Sequence, residues 1–298
     1  MIAMKKLMRP VLALVLALAL LSAAAFAAEV PQKAELKNEV NINHNSRACV
    51  DWSNIAEGIV SVKYTGGKDV RIKVQITRSG GTTYTYDLNN AGEYETYPLV
   101  EGDGKYNIRV FENTGGTRYA QCFSTSVDMA LRNEFLPFLY SNQYVSFTAD
   151  GLTAQTAAAL TEGITGDIKK VGAVYDHVVK NIRYDYEKME TVQSTYLPDP
   201  DLILAEGKGI CFDYAALMTA MLRSQGIPCK LVIGYAGSAY HAWVNVYIQG
   251  QGWISKAIYF DGNDWKLMDP TFASTSNNSY GVIQSINEGS MYKQVYAY

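Results

Sequence analysis

Cys211, His241 and Asp269 follow one another at intervals of 30 and 28 residues. Each sits in a context that suits nucleophilic chemistry. Gly207 and Gly209 flank Lys208 in a tight turn, and Cys211 follows two residues later. Phe212, Ala215, Ala216, Met218, Thr219 and Leu222 then continue as a helix, which Gly226 and Pro228 bring to a stop. Cys211 therefore falls in the first turn of a helix. Unpaired N–H groups and the positive end of the dipole favour a thiolate there. The same N–H groups can receive an oxyanion. Taken alone, the position serves equally well for a small buried residue.

A thiol nucleophile needs a base, and the chain has three histidines. His44 lies in a polar leader, and His177 lies on an amphipathic helix as a structural residue. His241 opens the run His241-Ala242-Trp243-Val244-Asn245-Val246-Tyr247. With a period of two, His241, Trp243, Asn245 and Tyr247 share one strand face. A base in turn needs an acceptor to fix its tautomer. Asp269 ends an expected strand, Trp265–Met268, and Pro270 stops the ladder. If that strand pairs antiparallel with the His241 strand, the start of one meets the end of the other. A turn residue before proline is the plain alternative for Asp269.

Two kinds of unit must position these residues. From about Ala48 to Asp128 the pattern is strand and turn. Val70–Ile76 and Tyr106–Val110 alternate apolar and polar residues, and Gly66-Gly67, Gly80-Gly81, Asn89-Asn90 and Gly115-Gly116 punctuate the runs. Such spacing predicts a small antiparallel sandwich. Cys49 and Cys122 lie near its two ends, and a disulfide between them is one option beside two reduced core thiols. Beyond residue 130 helices take over. Leu152–Leu160 is alanine-rich. Asp167 reads as an N-cap before Ile168, Val171, Tyr175, Val178 and Ile182, which form one apolar helical face. Leu197–Asp201 is a proline-stiffened break. Strands are expected at Lys230–Tyr235, His241–Ile248 and Trp265–Met268. Sequential strands without crossover helices make this half α+β.

Residues from about 170 to 273 resemble the transglutaminase-like superfamily, circularly arranged relatives of papain-type cysteine proteases. The resemblance rests on Gly209-x-Cys211-x-Asp213-Tyr214-Ala215, Gly226-Ile227-Pro228, Val232-x-Gly234-Tyr235, His241-Ala242-Trp243 and Asp269-Pro270-Thr271. It implies a papain-like transglutaminase core of helices plus antiparallel sheet. In that core Cys211 is the nucleophile, His241 the base and Asp269 the orienting carboxylate. Asp213 and Tyr214 also match, and read as shaping the helix start. The chain departs from the family between the His and Asp strands, where Gln251 to Asp264 inserts residues that read as an extended hairpin. Val244 also displaces the Asn that commonly follows His-Ala-Trp. No Ca²⁺-loop spacing occurs. No metal and no cofactor are expected.

The 298-residue length suits about two domains. Residues 1–27 carry a basic start (Lys5, Lys6, Arg9), an apolar run from Val11 to Leu21 and a small-residue end at Ala25-Phe26-Ala27. This is the order of a secretory signal cleaved near Ala27, and the apolar run is too short for a comfortable membrane span. The expected organisation is a signal peptide at 1–27, a β-rich domain at 28–130 and a transglutaminase-like catalytic domain at 131–298. Apolar residues make up 48% of the chain, as in globular proteins, and the net charge is −3 before the basic leader is lost. With no basic run, nucleic acid and anionic membrane are unsuited partners. The expected protein is secreted or extracytoplasmic, without a stable membrane anchor. It acts on a protein or peptide substrate, a cell-wall peptide among the options, by cleaving or transferring an amide through a thioester. The alternative is an inert scaffold of the same fold that binds a surface or cell-wall ligand.

Overall fold

Period-two alternation builds the first half of the chain. The computed structural model describes residues 40–254, 258–260, 265–267, 269–275 and 292–298. Eight strands come first: β1 (Ile42–His44), β2 (Ala48–Asp51), β3 (Ile59–Tyr64), β4 (Ile72–Arg78), β5 (Thr83–Leu88), β6 (Glu95–Pro98), β7 (Gly104–Gly115) and β8 (Arg118–Met129). They form two four-stranded antiparallel sheets, ordered β1-β2-β3-β6 and β5-β4-β7-β8. Ile72, Val74 and Ile76 of β4 and Tyr106, Ile108 and Val110 of β7 point into the core, while the residues between them are partly exposed. The expected strands are therefore present, with β4 beginning at Ile72 where the alternation predicts Val70. Among the described residues all four cysteines are free thiols. Cys49 Sγ lies 3.1 Å from the Tyr94 hydroxyl, and Cys122 Sγ donates to the Val110 carbonyl.

Helices follow: α1 (Leu152–Thr161) and α2 (Asp167–Asn181). Val171, Val174, Tyr175 and Val178 fill the buried face of α2. The N-cap is Gly166, at φ 88°, and not Asp167. Asp167 is the first helical residue, where its charge complements the dipole. Next come β9 (Arg183–Tyr184), α3 (Tyr186–Thr191), α4 (Pro200–Glu206), β10 (Lys208–Gly209) and α5 (Cys211–Ser224). The break at 197–201 is a helix start: Asp199 caps α4 by accepting from Asp201 N and Leu202 N, with Pro200 in the first turn. Every residue of α5 from Asp213 to Ser224 is buried.

The strands β11 (Cys229–Ala236), β12 (Ala239–Ile248) and β13 (Gly252–Ile254) complete a sheet of order β13-β12-β11-β16, in which β16 is Tyr292–Ala297. Between them β14 (Ile258–Phe260) and β15 (Trp265–Leu267) pair as a hairpin, and α6 (Pro270–Thr275) follows. The extended hairpin is thus present, while Ala257, Met268 and the turn Asp261-Gly262-Asn263 lie outside the described residues. Among the described residues β15 pairs with β14, and β12 pairs with β11 and β13. The expected ladder between the His241 strand and the Asp269 strand is therefore absent there.

Helix α5 packs against α1, α2 and α4 and against β11 and β12. The apolar core runs from the first half of the chain into the second. Tyr298 meets Tyr84 of β5 edge-on at 5.4 Å and Tyr144 at 4.7 Å. Arg223 of α5, fully buried, donates to the carbonyls of Cys229, Tyr140 and Tyr298 at 2.7–2.9 Å. Burial pulls its pKa down to about 10. Three charge-assisted bonds offset that desolvation and tie helix, sheet and connecting segment together.

Candidate active site

Two tight features deliver Cys211 to the head of α5. Gly207 ends α4 in the left-handed region at φ 63°, and its carbonyl accepts from Arg183 N at 2.9 Å. Gly209 accepts from Asp185 N at 3.0 Å. A Cβ on Gly209 would lie 2.5 Å from the Cβ of Asp213, so only glycine allows this approach. Ile210 is the N-cap and Cys211 the first helical residue.

Asp213 locks this turn. Its Oδ2 accepts from Ile210 N at 2.9 Å and from Lys188 Nζ at 2.6 Å, and its Oδ1 accepts from the Tyr196 hydroxyl at 2.5 Å. Asp213 is fully buried, whereas Lys188 keeps about a quarter of its side chain exposed. The sequence marks Asp213 as shaping the helix start. It gives no sign of Lys188 or Tyr196, which reach the carboxylate only because α3 and the loop after it fold over the head of α5. Tyr214 donates its hydroxyl to the Ile182 carbonyl at 2.6 Å and accepts from Ser274 Oγ at 3.0 Å, joining α5 to α6.

His241 stands on β12 opposite Gly234 of β11. A Cβ on Gly234 would meet the Lys293 carbonyl oxygen at 2.1 Å, so glycine is what lets β16 close on β11. His241 Nε2 lies 2.6 Å from Asp269 Oδ2, and Cys211 lies near enough to the imidazole to bear on its pKa. The structure thus brings the three sequence-selected residues together. Asp269 reaches His241 from the start of α6. It is fully buried there, and its Oδ1 caps α6 by accepting from Phe272 N at 2.9 Å. Burial alone pulls the His241 pKa down. The hydrogen bond to Asp269 and the charge of that carboxylate, with Cys211 nearby, outweigh it and bring the pKa up to about 10. The carboxylate fixes the orientation of the imidazole and favours its protonated form.

Sequence reading missed Tyr292. Its hydroxyl donates to Asp269 Oδ2 at 2.8 Å, and its ring packs edge-on to Trp243 at 5.1 Å. One tyrosine among 22 carries no local signal that it returns to the site. The other histidines lie elsewhere: His44 ends β1, and His177 on α2 sits 3.2 Å from Asn181 Nδ2. Cys229 is buried at the start of β11 with its thiol 3.6 Å from Thr219 Oγ1, and burial pushes that thiol up to about 12. Among the described residues no group of three His, Cys, Asp or Glu is placed to hold a metal ion.

Residues 154–257 match the family model of the transglutaminase-like superfamily. The chain contains a transglutaminase-like domain. That match takes in Cys211 and His241, and Asp269 lies beyond its end. An alignment of 141 residues that covers 40% of the chain is 29% identical to uncharacterized protein YebA of Bacillus subtilis, of which it covers 19%. A stretch of 69 residues is 33% identical to a protein-glutamine gamma-glutamyltransferase of Pseudomonas aeruginosa, covering 10% of it. The chain thus spans a fifth or less of the length of these two relatives. Among solved structures, red sea bream transglutaminase aligns over 83% of this chain and 52% of its own, with 14% identity and a TM-score of 0.32. LapG of Legionella pneumophila aligns over 50% of this chain and 84% of its own, with 14% identity and a TM-score of 0.28.

Proposed function

We propose that the protein is an exported cysteine enzyme that cleaves or transfers an amide through a thioester on Cys211. The observation that carries this reading is one imidazole hydrogen-bonded to a buried carboxylate and near a helix-starting thiol. The Cys211 thiolate attacks the carbonyl carbon of a peptide amide or a glutamine carboxamide. Negative charge gathers on the carbonyl oxygen, and the unpaired N–H groups at the head of α5 face such charge. The C–N bond breaks, the His241 imidazolium gives its proton to the departing amine, and the acyl group stays on sulfur. Water or a primary amine then attacks the thioester. His241 takes the incoming proton, the C–S bond breaks and the thiolate returns. With water the net reaction is hydrolysis, and with a lysine amine it is transamidation. Asp269 holds the imidazole and balances its charge throughout.

The substrate in this reading is a protein or peptide met outside the cytoplasm, cell-wall peptides included. The signal-like residues 1–27 support export, and the acidic net charge of −3 suits neither nucleic acid nor anionic membrane. The test is ammonia and amine release from glutamine-containing and cell-wall peptides, with and without added primary amine. Turnover is expected from the wild type and none from Cys211→Ala. Full turnover by Cys211→Ala overturns this reading.

A further inference from the structure

Asp269 Oδ2 carries two donors. His241 Nε2 reaches it at 2.6 Å and the Tyr292 hydroxyl at 2.8 Å, while Oδ1 is taken by Phe272 N at 2.9 Å. Tyr292 opens β16 and pairs with Ala236 at the end of β11. Its ring lies edge-on to Trp243 at 5.1 Å and 73°, and Trp243 lies nearly parallel to the His241 ring at 6.4 Å and 19°. The phenol is therefore held at both ends, by ring packing and by its hydroxyl. Burial, then the Asp269 charge and the hydrogen bond to it, push its pKa far above the ordinary tyrosine value. Across the working pH range it can only donate to Asp269.

We infer that Tyr292 is a positioning residue for the reaction at Cys211: its hydroxyl holds the Asp269 carboxylate against the imidazole and takes up part of its negative charge. The inference rests on the reading of Cys211, His241 and Asp269 given above. Among the described residues, the groups that face His241 are Cys211 from the head of α5, Asp269 from the start of α6, Tyr292 from β16 and Trp243 from its own strand. A carboxylate with an extra donor on the bonding oxygen is less basic toward the imidazole. His241 then releases its proton to the departing amine more readily than it would beside Asp269 alone, because proton transfer is best when the acid is tuned toward the operating pH.

Tyr292→Phe keeps the ring against Trp243 and removes the hydroxyl. Histidine labelled with ¹⁵N reports the His241 titration directly, and with three histidines in the chain the assignment is short. The expected result is a His241 midpoint raised by about one pH unit, with kcat lowered about tenfold and KM unchanged. If Tyr292→Phe does not fold, 3,5-difluorotyrosine at position 292 keeps the shape and strengthens the donor, and the midpoint is then expected to fall. An unchanged midpoint and kcat, with only the melting temperature lowered, overturns the inference and leaves Tyr292 a packing residue. A wild type whose Cys211 shows no accelerated alkylation overturns the underlying reading as well. Accelerated alkylation in the wild type with no change in the Tyr292 variants overturns this inference alone.

Discussion

His241 Nε2 and Asp269 Oδ2 stand 2.6 Å apart although no ladder joins β12 to β15 among the described residues. The contact is made instead by a helix cap. Asp269 turns one oxygen to Phe272 N and the other to the imidazole, so one carboxylate both starts α6 and orients the base. This double use makes the two roles separable by mutation.

Asp269→Asn keeps an oxygen able to cap α6 and loses the charge beside His241. The His241 midpoint should fall well below about 10, and kcat should drop by roughly 10²- to 10⁴-fold. Asp269→Ala should lose about 1 kcal/mol more from the missing cap. Histidine titration by NMR and chemical denaturation of both variants check this pair of effects.

The raised His241 pKa also makes stability depend on pH. A basic group whose pKa is higher when folded stabilises fully below its unfolded value, about 6.5, and loses that contribution as pH rises through about 10. The melting-temperature advantage of the wild type over Asp269→Asn should therefore shrink between pH 7 and pH 10.5. An advantage that grows over that range would contradict the sign of the shift.

Gly234→Ala places a methyl group 2.1 Å from the Lys293 carbonyl oxygen and 2.9 Å from Trp243. Backbone cannot yield as a flexible side chain does, so β16 must move away from β11. A loss of about 1–3 kcal/mol is expected, measured by urea denaturation. The displacement should also weaken the Tyr292 contact with Asp269.

Lys188→Met leaves the buried Asp213 carboxylate with Tyr196 and Ile210 N but no counter-charge. Breaking a fully buried pair costs about 3–5 kcal/mol, and the partial exposure of Lys188 lowers this to about 2 kcal/mol. Denaturation of Lys188→Met against the wild type measures it. The double variant Lys188→Met with Asp213→Asn should recover part of the loss.

Much of this arrangement is legible in the residues themselves. Apolar alternation marks β4 and β7, whose inner residues Ile72, Val74, Ile76, Tyr106, Ile108 and Val110 are buried, and the glycine and proline punctuation after Ser224 ends α5. Cys211 is legible because helix starts have local signatures, whereas His241 lies two residues inside β12 and Asp269 caps α6 where the residues predict the end of a strand. Features without local signatures were not readable. Helices α3 and α4 are only six and seven residues long, too short for a clear apolar period. The cap of α2 fell to Gly166 because its positive φ suits glycine, one residue before the acid that sequence favours. Lys188, Tyr196 and Tyr292 act through contacts 17 to 25 residues distant in the chain, which depend on the packed fold.

In the proposed mechanism His241 activates Cys211. Iodoacetamide labelling of the purified protein across a pH series, with the modified cysteine mapped by mass spectrometry, tests it directly. Fast labelling of Cys211 is expected below pH 7, where an ordinary thiol of pKa ~8.5 is almost wholly protonated. Marked slowing is expected in His241→Ala, with no native-state labelling of the buried Cys229. Slow labelling of Cys211 in the wild type, unchanged by His241→Ala, would contradict the mechanism.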